Sequence, residues 1–125
     1  MKHPERKPLG QGDVVLLDFP GAKQTKRRPV VVVSSERYHL ERPDVLVGLI
    51  TTQIAQATAN TDHVIKDRMQ VGLSKPSAYR TFLATIPRSA IRKSIGRLSR
   101  RDWQSVFKCL LVAFGVGGQP REPNP

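Results

Sequence analysis

Arg28 and the pair Thr51–Thr52 are the residues of this chain whose types could work on a phosphodiester. Arginine stays protonated in proteins, so it is no ordinary base. Its paired N–H groups can instead neutralise the charge that builds on a pentacoordinate phosphoryl transition state. A threonine hydroxyl can donate a hydrogen bond to a phosphate oxygen or to a departing alkoxide. Arg28 stands immediately before Pro29 at the mouth of one apolar segment, and Thr51 and Thr52 close another. If those segments are neighbouring strands, guanidinium and hydroxyls converge at one end of a sheet. On residue types alone, Arg28 also reads as a surface cap on a strand and Thr51 as β-branched filler.

Other catalytic constellations are missing. The sequence holds no G-x-S-x-G, Walker loop, H-E-x-x-H or C-x-x-C. His3, His39 and His63 stand apart, and each reads as a solvated or merely hydrogen-bonded imidazole. Cys109 falls on the apolar side of a helical pattern and reads as a small buried hydrophobe. A single cysteine forms no internal disulfide, and with three scattered histidines it builds no zinc site. Neither a metal nor a cofactor is expected.

The 125 residues suffice for one domain that buries roughly two-thirds of its unfolded surface. Apolar residues make up 38% and charged residues 25%, which excludes both a compositionally disordered chain and a membrane-like one. The run from Cys109 to Val116 is far shorter than the roughly 18 apolar residues of a membrane span. The charged, Pro4-bearing start, Met1 to Lys7, is unlike a secretion signal, and a cytosolic protein is expected. Lys and Arg number 21 against 10 Asp and Glu, a net charge of +11 that draws so small a domain toward polyanions.

Positioning falls to a set of short elements. Residues 1–11 read as a loose arm, 12–118 as the folded domain, and 119–125, with three prolines, as a disordered tail. Asp13 to Phe19 is a strand stopped by Pro20-Gly21. Gly21 to Arg28 is a cationic loop with Lys23, Lys26 and Arg27 beside Arg28. Pro29 to Ser35, with four consecutive valines, is a strand buried on both faces. Glu36 to Pro43 is a loop or one helical turn, and Asp44 to Thr52 a third strand. Gln53 to Thr61 reads as a mobile surface loop, His63 to Ile65 as a short strand, and Ala78 to Ile86 as a further extended segment.

Ser99 opens a helix, with Asp102 completing a capping box. Trp103, Val106, Phe107, Leu110, Leu111 and Phe114 recur at spacings of three and four, and Gly115 ends it. About five strands and a terminal helix imply a mainly β fold, a small curved antiparallel sheet or open barrel with the helix packed on it. Homodimerisation would cover its exposed edges and apolar face.

The order D-V-V-L-L-D-F-P, R-R-P-V-V-V-V-S, G-L-I-T-T-Q, G-L-S-K-P-S, I-G-R-L-S and a terminal helix resembles the MazF/PemK toxin family over about residues 12 to 115. The resemblance implies an SH3-like open barrel of about five to seven short antiparallel strands and a homodimer. It also implies a metal-independent endoribonuclease, the toxin of a type II toxin–antitoxin pair, that cuts single-stranded RNA by attack of the 2′-hydroxyl. Arg28 matches the family's R-P arginine and Thr51 its hydroxyl residue. Lys23, Lys26, Arg27, Thr52, Gln53 and Arg80 are then the candidate RNA contacts, and a cognate acidic antitoxin is the expected protein partner.

One branch of the family carries an acidic residue where this chain has Phe82, and Asp18 and Asp44 are substitutes by type alone. The alternative is a non-catalytic barrel that binds RNA or inhibits a topoisomerase. Arg88, Arg92, Lys93, Arg97, Arg100 and Arg101 fit an RNA surface, an antitoxin dock or a solvated face. Tyr38, Tyr79, Phe82 and Trp103 are the aromatic faces on which a base could stack.

Overall fold

The valine run organises the molecule. In this computed structural model, which describes residues 8–20 and 25–117, Val30, Val31, Val32 and Val33 are all buried. Val31 and Val33 join a cluster with Val14, Ile50 and Tyr79 that the C-terminal helix covers through Val106, Cys109 and Leu110. Val30 and Val32 face the other way, into a second cluster with Val15, Leu17, Val45 and Val47. Successive side chains on a strand point to opposite faces, so an unbroken apolar run requires burial on both.

Six strands among the described residues form one antiparallel sheet: β1 (Asp13–Pro20), β2 (Thr25–Val32), β3 (Asp44–Thr51), β4 (Asp62–Val64), β5 (Ala78–Pro87) and β6 (Ile91–Arg97). Their spatial order is β4-β5-β3-β2-β1-β6. Between β2 and β3 lies α1 (Glu36–Glu41), and α2 (Arg100–Phe114) closes the chain. This is the open, mainly β architecture with a C-terminal helix expected from the sequence. Lys23, the first seven residues of the arm and the tail 119–125 lie outside the described residues.

The structure corrects several expectations. β6 was unforeseen within the basic stretch; it pairs with β1 through two register shifts, which obscure any alternation in I-R-K-S-I-G-R. Lys26, Arg27 and Arg28 are strand, not loop, because β2 begins at Thr25 and pairs with β1 through Leu17↔Arg28 and Asp18↔Arg27. In α2, Phe107 and Phe114 are exposed, while Asp102, Val106, Cys109 and Leu110 are buried. The two stripes sit side by side on the helix, and spacing alone does not say which faces the sheet.

The helix start is anchored by a polar hub. Ser99 caps it, accepting from the Asp102 N–H, and Gly115 ends it in the left-handed conformation at φ 74°. Asp102 does not return the hydrogen bond of a capping box. Its fully buried carboxylate accepts from the Lys66 and Asp67 N–H groups at 2.9 and 2.8 Å, and lies 2.7 Å from His63 Nε2 on β4. Asp67 in turn pairs with Arg101 at 2.7 Å.

Two predictions follow from this packing. A β-carbon at Gly48, in β3, would run into the ring of fully buried Tyr79. Overpacking of this kind costs about 1–3 kcal/mol, and Gly48→Ala should lower the urea midpoint accordingly. Burial alone would raise the Asp102 carboxyl, but the bonds from His63, Lys66 and Asp67 outweigh it and hold it below its usual range. A carboxyl depressed on folding contributes stability above its unfolded pKa of about 3.9 and loses it as pH falls through the lower folded value. Urea midpoints should hold down to about pH 5 and drop below about pH 4, with a shallower drop in Asp102→Asn.

Candidate phosphodiester site

β2 and β3 pair through Val30↔Leu49, Val31↔Gly48 and Val32↔Val47. The next residue outward on β2 is Pro29, which has no N–H to donate, and the ladder goes no further. Beyond that point the strands frame an open cavity of about 390 Å³ lined by Lys26, Arg27, Arg28, Pro29, Ile50, Thr51, Thr52 and Gln53. Carrying the register outward two residues sets Arg28 opposite Thr51. Both share the face of Val30 and Leu49, since side chains repeat every second residue. The sequence-derived pair therefore meets at one end of the sheet. Pro29 also holds Arg28 in extended backbone.

Each group is in a usable state. Arg28 and Lys26 are exposed, and among the described residues neither has a carboxylate within ion-pair distance. The Gln53 N–H donates to Thr51 Oγ1 at 3.1 Å. That bond uses the oxygen as acceptor and leaves the hydroxyl proton free to be given to a ligand. Thr52 and Gln53 are exposed at the rim. The cavity thus pairs a cationic wall with a hydroxyl donor, an arrangement suited to a phosphate and its developing negative charge.

Other sequence candidates are placed differently. Arg27 borders the cavity, but its guanidinium is committed to Asp18 at 3.1 Å, and Asp18 also holds Arg92 at 2.8 Å. The Arg27 hydrogen bond, opposed by partial desolvation and reinforced by Arg92, keeps the Asp18 carboxyl below its usual range. Asp18 is paired with Arg27, one residue out of phase with Arg28, so it lies on the opposite face of the sheet. Asp44 begins β3 and Thr51 ends it, a separation of roughly 23 Å at 3.3 Å per residue. Neither substitute carboxylate reaches the cavity.

Arg80 is not among the cavity-lining residues. It binds Asp62 at 3.3 Å and stacks over the Phe82 ring, 4.3 Å from its centroid. His39 bonds to Ser34 and the Leu9 carbonyl, and His63 serves the Asp102 hub. Tyr79 is fully buried and offers no stacking face. Asp62 had no signature in the sequence, because only the β4–β5 register brings it to Arg80. A larger cavity, about 740 Å³, lies along β6 and includes Asp13, Arg88 and Arg97. Its Arg97 is already paired with the Asp13 carboxylate at 2.7 Å, and that carboxylate, which also accepts from the Gly10 N–H at 2.9 Å, repels an anion, so the Arg28 cavity is the better phosphate site.

Comparison with known proteins places the chain among toxins of one family. A protein of Mycolicibacterium smegmatis named "Probable endoribonuclease MazF" is 28% identical over 116 residues, covering 88% of this chain and all of its own length. An endoribonuclease solved in complex with its cognate antitoxin, from a mycobacterial species, superposes with a TM-score of 0.71 at 17% identity, over 89% of this chain and 99% of that one. A MazE–MazF structure from Deinococcus radiodurans gives 0.68 at 15% identity, over 90% and 100% of the two chains. At such identities the structures speak for the fold alone. Residues 10–114, which contain every segment that frames the Arg28–Thr51 cavity, match the family described as PemK-like, MazF-like toxin of type II toxin-antitoxin system, and the chain belongs to that family.

Proposed function

We propose that the chain is a toxin endoribonuclease that cuts single-stranded RNA by attack of a ribose 2′-hydroxyl on the adjacent phosphate. The observation that carries the reading is an uncommitted Arg28 guanidinium facing a proton-bearing Thr51 hydroxyl across one open cavity. The new bond joins O2′ to phosphorus as the bond from phosphorus to the 5′-oxygen breaks. The products are a 2′,3′-cyclic phosphate and a 5′-hydroxyl. Arg28 neutralises the non-bridging oxygens as charge accumulates on them. Thr51 donates to the phosphate or the leaving oxygen, and Lys26 holds the neighbouring phosphate. DNA lacks the 2′-nucleophile and is not a substrate.

No carboxylate or imidazole lines the cavity among the described residues. The O2′ proton therefore passes to hydroxide in this mechanism, forming water, and the departing 5′-oxygen takes its proton from solvent water. Partners follow from charge. A net +11 suits both an RNA strand and an acidic antitoxin segment that covers the same cations. A homodimer would cover exposed apolar groups such as Phe107 and Phe114. No helix among the described residues is long and apolar enough to cross a membrane. A cellular RNA substrate would be met in the cytoplasm, where we place the protein.

Purified protein incubated with mixed single-stranded RNA in EDTA should give discrete cuts with 5′-hydroxyl ends. Arg28→Ala should lose at least about 100-fold in rate, the scale of removing one transition-state donor, and remain folded. Intact RNA with wild-type protein would leave the non-catalytic binder as the reading. The wild-type rate should climb about tenfold per pH unit, as expected for hydroxide activation. A plateau above about pH 5 to 7 would instead reveal a carboxylate or imidazole base.

A further inference from the structure

An apolar groove of about 250 Å³ lies further along the strands that frame the phosphodiester cavity, lined by Val30, Val47, Leu49, Phe82, Leu83 and Ala84 along with Gly48. It continues the same strands, because residues 47–49 of β3 line the groove and residues 50–53 line or follow into the cavity. The register of β3 on β5 shifts between Gly48 and Leu49. Leu49 pairs with Arg80 and Gly48 with Leu83, so Thr81 and Phe82 are looped out between them. Bulges of this kind re-aim side chains beside functional sites. Phe82 is 57% exposed and lines the groove beside Leu83 and Ala84.

The ring is held from behind. Arg80 lies 4.3 Å from its centroid, and Asp62 fixes Arg80 by a 3.3 Å bond to Nε. The Asp62 side chain is 2% exposed and also accepts from the Ala59 N–H at 3.0 Å, so the brace is tied into the loop after β3. Two groups in series therefore brace one aromatic face of a ring that also lines the apolar slot. We propose that this slot is a nucleobase-binding subsite in which Phe82, braced by Arg80 and Asp62, stacks the base of a nucleotide flanking the scissile phosphate.

Single-stranded RNA offers such a base. Unstacked bases are captured on aromatic or guanidinium planes, and a slot along the strands that frame a cationic phosphate cavity presents both halves of one nucleotide. The residue that departs from the acidic position of one family branch thus has a binding role of its own. The inference rests on the nuclease reading for its ligand, and the experiment separates the two.

The test uses fluorescein-labelled, mixed-sequence single-stranded RNA for binding and a short RNA spanning a mapped cut for kinetics. Phe82→Ala should raise Kd and KM about tenfold or more, the range of one lost base stack, with kcat within about twofold. Phe82→Trp should retain binding and acquire an RNA-dependent fluorescence quench absent from wild type, whose one tryptophan is Trp103. An abasic nucleotide next to the cut should weaken wild type but leave Phe82→Ala almost unaffected.

Unchanged Kd and KM in Phe82→Ala would overturn the proposal. So would conversion of a wild-type dimer to monomer by Phe82→Ala in sedimentation, which would make this face an interface between copies. Should wild-type protein cut no RNA, the nuclease reading fails while the labelled-RNA binding of the Phe82 variants still decides the subsite.

Discussion

A register that cannot slip is the constraint on which the site depends. The run Val30 to Val33 is buried on both faces, so each residue is claimed by one of two clusters. A slip of one residue would exchange the faces of the whole strand. It would send Arg28 to the side where Arg27 now meets Asp18, and bring Arg27 toward Thr51. Core packing thereby decides which of two adjacent arginines is left unpaired. Pro29 adds the complementary condition: the β2–β3 ladder stops before it, and the cavity opens where pairing ends.

The second support is the Asp102 hub. It ties α2 to β4 and to the segment after it, using one carboxylate for two backbone N–H groups and one imidazole. A buried carboxylate is tolerable only when its lone pairs are satisfied, and here hydrogen bonds outweigh the cost of burial. Because β4 pairs with β5, the hub also steadies the strand pair that carries Asp62, Arg80 and Phe82. Stability and site geometry share these elements, so a change in one should be read against the other.

Much of this was legible in the residues. The valine run gave burial on both faces, Ser99 and Gly115 gave the helix ends, and the order of short strands gave the open sheet. Arg28 and Thr51 were placed together by type and by position at strand ends, and the structure sets them on one cavity. What stayed hidden depends on long-range pairing. β6 carries two register shifts against β1, so its apolar residues do not alternate. Lys26 to Arg28 looked like loop because charge masks strand pairing. The brace from Asp62 to Phe82 exists only once β4 and β5 are aligned and the bulge turns Phe82 outward.

The proposed mechanism requires Arg28 and Thr51 to act on one phosphate. A double-mutant cycle of single-turnover RNA cleavage, with Arg28→Ala, Thr51→Val and the combined variant, measures that directly. Groups that stabilise the same transition state are not additive, and the coupling should reach about 0.5–3 kcal/mol, so that the second substitution costs far less once the first is made. Losses that simply multiply would show that the two side chains work independently, and the shared cavity would no longer explain the chemistry.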